Sequence, residues 1–154
     1  MSKWIKKPKG KYRSKFEQTI AKDLVEREVK AKYEFVKIEY LHPSTNRWYK
    51  PDWILKNGII IEAKGRFTTE DRKKHCLVKQ QYPELDIRFV FQNPNVKISS
   101  GSKTTYGDWA TKNGFKWSKL FVPDSWVLEK PRKVNLFKVD TETNPYKGKH
   151  ETSV

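Results

Sequence analysis

The sequence predicts an α/β protein, a mixed sheet flanked by helices. Three observations point there. Apolar residues recur at helical spacing in "SKFEQTIAKDL" and alternate at strand spacing in "YEFVKIEYLH". A hairpin pattern follows, "YKPDWILKNGIIIEAKG", with a turn-forming Asn-Gly between two apolar runs. Beyond it, the helix-like "TTEDRKKHCLVKQQY" precedes the apolar "DIRFVFQN", and a strand–helix–strand unit over 59–91 favours a parallel pair with a right-handed crossover.

The elements can be justified in order. Residues 1–13 carry six basic residues and no acidic one, broken by Pro8 and Gly10, which reads as a flexible basic arm. It is either a solubilising tail or an arm that tracks phosphates through Lys6, Lys7, Lys9, Lys11 and Arg13. Ser14 and Glu17 have the spacing of a capping box, and Phe16, Ile20 and Leu24 give the following helix one apolar stripe to about Lys30. Residues 33–42 read as a strand and 43–50 as a polar connector. A helix from Thr68 or Thr69, with Glu70 and Asp71 in its first turn, closes before Pro83. A strand follows to Asn93-Pro94, then a short helix stopped by Gly114, then an extended segment over "FKWSKLFVP". Residues 128–154 are polar and basic and read as a loose tail, leaving 14–127 as the folded domain.

Composition narrows the class. The chain has 154 residues, the length of one ordinary domain, and only 36% are hydrophobic. Six Trp, seven Tyr and eight Phe compensate, since each buries a large apolar area. A net charge of +15 repels itself and suits a polyanionic partner, nucleic acid above all. The single cysteine, Cys76, excludes an internal disulfide and a multi-thiolate zinc site. The start lacks the apolar core of a signal peptide, and no 18-residue apolar run occurs, so a cytoplasmic protein without a membrane partner is expected.

The hairpin raises the chemical question, because it places Asp52, Glu62 and Lys64 among apolar residues. A three-residue turn, Lys56-Asn57-Gly58, pairs Leu55 with Ile59 and sets Asp52 opposite Glu62, with Cβ atoms about 5 Å apart and Lys64 on the same face. A two-residue Asn-Gly turn puts Asp52 opposite Ala63 instead, and sends Glu62 to the other face. Both turns fit the local sequence. In the first register two carboxylates repel unless a cation joins them, and Mg²⁺ with its oxygen ligands suits such a pair. Such a cluster can attack phosphodiesters, with Lys64 orienting water or stabilising developing charge. The bland alternative is an Asp–Glu–Lys ladder on an exposed strand, which sits badly beside Ile59, Ile60 and Ile61.

"KPDW" and "IIIEAKG" resemble the PD-(D/E)xK signature of restriction-endonuclease-like nucleases. Together with "YRSKFE", "DRKKHCLVKQQYPELDIRFVF", "GSKTTYGDWATKNG" and "VPDSW", they resemble the phage endonuclease I family of junction-resolving enzymes over about residues 12–126. The resemblance implies a restriction-endonuclease-like core in an intertwined, domain-swapped homodimer that cleaves branched DNA, such as four-way (Holliday) junctions, with Mg²⁺ or Mn²⁺. It implies that Asp52, Glu62 and the backbone carbonyl of Ala63 are metal ligands, that Lys64 is the catalytic lysine, and that Glu17 completes the site. It also makes 43–50 a bridge between halves, with Glu17 supplied by one chain and the other groups by its partner. The residues of Glu17's own neighbourhood, read alone, say capping box.

Arg72, Lys73, Lys74 and His75 form a basic run on the second helix. Four consecutive residues spread around a helix, so they cannot all follow one phosphate track. Each is either a DNA contact or part of a solvated face. The competing functions are a non-catalytic basic nucleic-acid-binding module and a nuclease of simple duplex.

Overall fold

The structure is a computed structural model that describes residues 12–42, 45–134, 137–139 and 148–150. The arm residues Lys6, Lys7, Lys9 and Lys11 lie outside these, as does much of the expected tail.

Helix α1 (Lys15–Glu26) starts where Ser14 Oγ accepts the Glu17 amide proton at 3.0 Å, and it buries Phe16, Ile20 and Leu24. It ends at Glu26 rather than near Lys30. Glu28 has a φ of 54°, a left-handed conformation that cannot continue a right-handed helix. The expected single strand over 33–42 is divided into β1 (Ala31–Tyr33) and β2 (Val36–His42). Glu34, at a φ of 43°, breaks the chain between them, and each half joins a different sheet.

Residues expected as a polar connector instead form β3 (Thr45–Tyr49), antiparallel to β2 from Ile38–Tyr49 to His42–Thr45. Its side chains are exposed except for Tyr49, so its polarity is that of a solvent-facing sheet surface rather than of a loop. The hairpin follows as β4 (Trp53–Leu55) and β5 (Ile60–Lys64). Trp53 pairs with Ile61 and Ile54 with Ile60, and the Leu55 amide donates to Ile59 O at 2.8 Å. This is the three-residue turn, with Gly58 at a φ of 90°. The other register is excluded.

Helix α2 (Thr69–Gln81) carries a complete capping box between Thr68 and Asp71. Strand β6 (Ile87–Phe91) runs parallel to β5, as the strand–helix–strand pattern requires. Helix α3 (Tyr106–Lys112) leads to β7 (Trp117–Lys119), parallel to β6, and a short α4 (Asp124–Val127) follows. Strands β8 (Phe137–Val139) and β9 (Gly148–His150) pair with each other, and β8 pairs with β2.

Among the described residues two sheets result, ordered β1-β4-β5-β6-β7 and β3-β2-β8-β9. The mixed five-stranded sheet is covered on both faces. Ile54, Ile60, Phe89 and Phe91 pack with Phe67, Val78, Tyr106 and Ala110 on one side. Trp53, Leu55, Ile61 and Val90 pack with Ile20, Leu24 and Trp126 on the other. Among the described residues no helix is long and apolar enough to cross a membrane.

The reading of 128–154 as loose requires correction at its start. Val134 is buried in the first core, and the Arg132 guanidinium binds Asp86 and Glu129. Arg88, fully buried, pairs with the same two acids. A Cβ added to Gly58 would meet Arg132 Cγ and Val134 Cγ2 at 3.0 Å, so this segment lies directly on the hairpin turn. Burial of Arg88 demands counter-charges against its guanidinium, and half-buried Glu129 is one of them.

Candidate active site

Asp52 lies one step before β4 and falls opposite Glu62 when the β4–β5 ladder is continued. Both are buried, at 4% and 2% exposure. Asp52 Oδ2 accepts the Ala63 amide proton at 2.9 Å, which locks its carboxylate against β5. Lys64 Nζ lies 3.3 Å from Glu62 Oε2 and 3.4 Å from Asp71 Oδ1. The three residues of the hairpin pattern therefore stand together on one face.

Their environments drive the two acids apart. Burial, reinforced by the charge on Glu62, pushes the Asp52 carboxyl well above the usual carboxylate range. Burial alone would also raise Glu62, but Lys64 and His75 outweigh it and hold Glu62 below that range. Burial would lower the Lys64 ammonium, yet Glu62, Asp71 and Asp52 raise it, so it stays charged.

Glu62 has neighbours that the sequence patterns do not suggest. The Tyr49 hydroxyl donates to Glu62 Oε1 at 2.6 Å. His75 is fully buried, so it stands behind Glu62 rather than on a DNA-facing surface, which corrects its expected role as a DNA contact. Its Nδ1–H donates to the Asp71 carbonyl at 2.7 Å. Its Nε2 faces Glu62 Oε2 at 3.6 Å, beyond hydrogen-bond length. The signal for Tyr49 was slight: one aromatic at the end of a polar stretch, three residues before Asp52.

Glu17 makes half of the expected capping box. Its amide is capped by Ser14, but its carboxylate accepts from the Arg13 amide at 3.1 Å and from the Tyr33 hydroxyl at 2.5 Å. That leaves its side chain near the acid pair. Arg13 connects the two groups: its guanidinium lies 3.2 Å from Asp52 Oδ1 and 2.8 Å from Glu34 Oε1. Expected as a phosphate contact, Arg13 here sits on the site's carboxylates. Arg72 turns back to the Phe67 carbonyl and Thr69, Lys74 lies near Asp71 and the Tyr49 ring, and Lys73 points to solvent. The run is indeed distributed around its helix.

Among the described residues, no three His, Cys, Asp or Glu side chains converge as a metal cage. The donor set still fits a hard divalent ion, which takes one or two carboxylates and completes its shell with water and phosphate oxygens. The fit rests on Asp52, an anion disfavoured by burial and by Glu62, against which the cationic Arg13 side chain is placed. Asp52 and Glu62 would hold such an ion, whereas Glu17 is bridged to Asp52 by Arg13.

A buried acid pair with an adjacent charged lysine thus stands on a mixed sheet in a chain of net charge +15. The family profile described as Phage endonuclease I matches residues 1–145. Endonuclease I of Escherichia phage T7 is 41% identical over 125 residues, covering 81% of this chain and 84% of that protein. Endodeoxyribonuclease 1 of Enterobacteria phage T3 is 40% identical over 131 residues, covering 85% and 86%. The chain belongs to the phage endonuclease I family.

Proposed function

We propose that this chain is a divalent-metal-dependent endonuclease selective for branched DNA, four-way junctions included, acting as a homodimer in the host cytoplasm. The observation that carries the reading is the hairpin register, which gathers Asp52, Glu62 and Lys64 on one face. Family membership supports cleavage of DNA, and the +15 charge supports a polyanionic substrate.

When bound, Mg²⁺ or Mn²⁺ supplies Lewis-acid stabilisation of the phosphate and a water of lowered pKa. Asp52 and Glu62 would hold that ion, with the Ala63 carbonyl as a further ligand. The Ala63 amide fixes the orientation of Asp52, and Tyr49 fixes that of Glu62. Lys64, charged and anchored between Glu62 and Asp71, places a cation where negative charge grows on the phosphate. Glu17, held by Tyr33, completes the centre from α1.

In the homodimer, 43–50 bridges the two halves and each centre takes Glu17 from one chain and Asp52, Glu62 and Lys64 from its partner. Within one chain, Arg13 links Glu17 to Asp52, so the same grouping is available in cis when β3 folds back on β2.

The test is cleavage of a four-way junction against linear duplex of the same sequence, with and without Mg²⁺. Cleavage confined to the junction and to Mg²⁺ is expected. Junction binding without any metal-dependent cutting would return the protein to a binding module.

A further inference from the structure

Lys64, Phe91 and Lys119 form one row across β5, β6 and β7. Adjacent strands lie about 4.8 Å apart, so the Lys119 backbone is roughly 10 Å from that of Lys64. Immediately after Lys119 the chain makes an unusual turn. The Phe121 amide donates to the Lys119 carbonyl at 2.8 Å, closing a γ-turn on Leu120, whose φ is 68°. This positive-φ form of the γ-turn is rare and strained, and a branched side chain gains nothing from adopting it.

The turn is held from every side. Leu120 N–H donates to Phe91 O at 2.9 Å, and Ser118 Oγ donates to the Phe121 carbonyl at 2.7 Å. Val122, next in the chain, is fully buried, and its carbonyl takes the Arg27 guanidinium at 2.5 Å. Yet this rigid support presents apolar groups to water: Leu120 and Phe121 are 36% and 44% exposed. Backbone strain that the surroundings enforce, together with neighbouring exposed apolar side chains, is more characteristic of a binding feature than of a core.

We propose that the Lys119–Phe121 turn is a second DNA-binding site, at which Phe121 and Leu120 pack against an exposed base face at a branch while Lys119 holds an adjacent phosphate. The inference rests on the nuclease reading above. The occupant follows from charge and position: the exposed Lys119 suits a phosphate, and the shared row places its backbone roughly 10 Å from that of Lys64. At an open branch the terminal base pair of an arm exposes a face that its neighbour covers within continuous duplex, so an apolar contact on that face distinguishes the two. The turn thus offers a source of branch selectivity separate from cleavage chemistry.

The experiment uses the full chain without divalent metal, so that DNA is bound and not cut. Affinities for a four-way junction and for linear duplex are measured for the wild type, Phe121→Ala, Leu120→Gly, Phe121→Trp and Lys119→Ala. Leu120→Gly keeps the left-handed backbone while removing the side chain. Phe121→Ala should weaken junction binding about tenfold, with duplex binding unchanged, as expected for loss of one aromatic–base stack. Leu120→Gly should act in the same direction, and Phe121→Trp should retain selectivity. Lys119→Ala should weaken both substrates and reduce the salt slope by about one. A 2-aminopurine at the branch should be quenched less by Phe121→Ala than by wild type. A wild type without junction preference overturns the branched-DNA reading itself. A wild type with preference, fully retained in Phe121→Ala and Leu120→Gly, overturns only the proposed site. Variants that change oligomeric state would show that the turn contacts a second copy, and would overturn it as well.

Discussion

The Tyr49 hydroxyl donates a 2.6 Å hydrogen bond to Glu62 Oε1, and both side chains are buried. Tyr49 is the last residue of β3, so the segment expected as a bridge is hydrogen-bonded to one of the two proposed carboxylate ligands. Tyr49→Phe should keep the fold, because the ring still packs on His75. It should weaken Mn²⁺ binding and lower cleavage, each by roughly 10–100-fold, as for other hydrogen-bond partners of metal ligands. Calorimetric Mn²⁺ titration and single-turnover cleavage check this, and unchanged Mn²⁺ affinity would remove Tyr49 from the ligand-positioning role.

Asp52→Asn and Glu62→Gln should abolish cleavage while leaving junction binding largely intact, because basic residues supply most of the affinity. Asp52→Asn should also raise the metal-free melting temperature at neutral pH. The folded Asp52 carboxyl titrates above its unfolded value, so its ionisation costs stability that appears as pH rises above about 4. The difference between variant and wild type should shrink below that pH. Thermal melts at pH 7 and pH 3.5 provide the measurement.

Glu17 can be tested for cis or trans action with separately tagged Glu17→Gln and Asp52→Asn chains, co-expressed and isolated as a heterodimer. Exchange between chains leaves one intact centre, and the heterodimer should nick one strand of a junction without the paired second cut. Action in cis leaves every centre defective and yields no nick. Should Glu17→Gln alone keep full activity but lose thermal stability, the capping role of this residue is the real one.

The Arg88 network should dominate the acid stability of the C-terminal attachment. Burial would raise Asp86, but Arg88 and Arg132 hold its carboxyl below the usual range. A depressed acid contributes stability above its unfolded pKa of about 4, and that stability is lost as pH falls further. Asp86→Asn should therefore destabilise the protein at pH 7 and much less near pH 2. Arg88→Ala, which removes one of the two guanidinium partners of Asp86 and Glu129 together with a buried side chain, should also lower stability at neutral pH. Urea denaturation across this pH range reads both effects.

Local chemistry in the sequence determined a good deal. Ser14, Thr68 and Thr105 mark helix starts because their hydroxyls accept otherwise unpaired amide protons. Asn57-Gly58 and the flanking isoleucines specify a hairpin with both faces covered, and they narrow its register to two choices. Asp52, Glu62 and Lys64 were legible because a strand's two-residue period fixes which side chains share a face.

The tertiary structure decided what depends on distant neighbours. It chose the three-residue turn, on which Arg132 and Val134 lie, and Asn57 Nδ2 donates to the Trp126 and Glu129 carbonyls. It made a strand of Thr45–Tyr49, whose polar sequence carries little sign of its pairing with β2. It brought His75 behind Glu62 and Arg13 onto Asp52, where the sequence offered only basic runs. It also drew the start of the basic tail into the core, because the buried Arg88 guanidinium requires an anion that Glu129 supplies from 41 residues further along the chain. Periodicity and capping act within a few residues and can be read along the chain. Charge compensation and burial are settled only between segments that folding brings together.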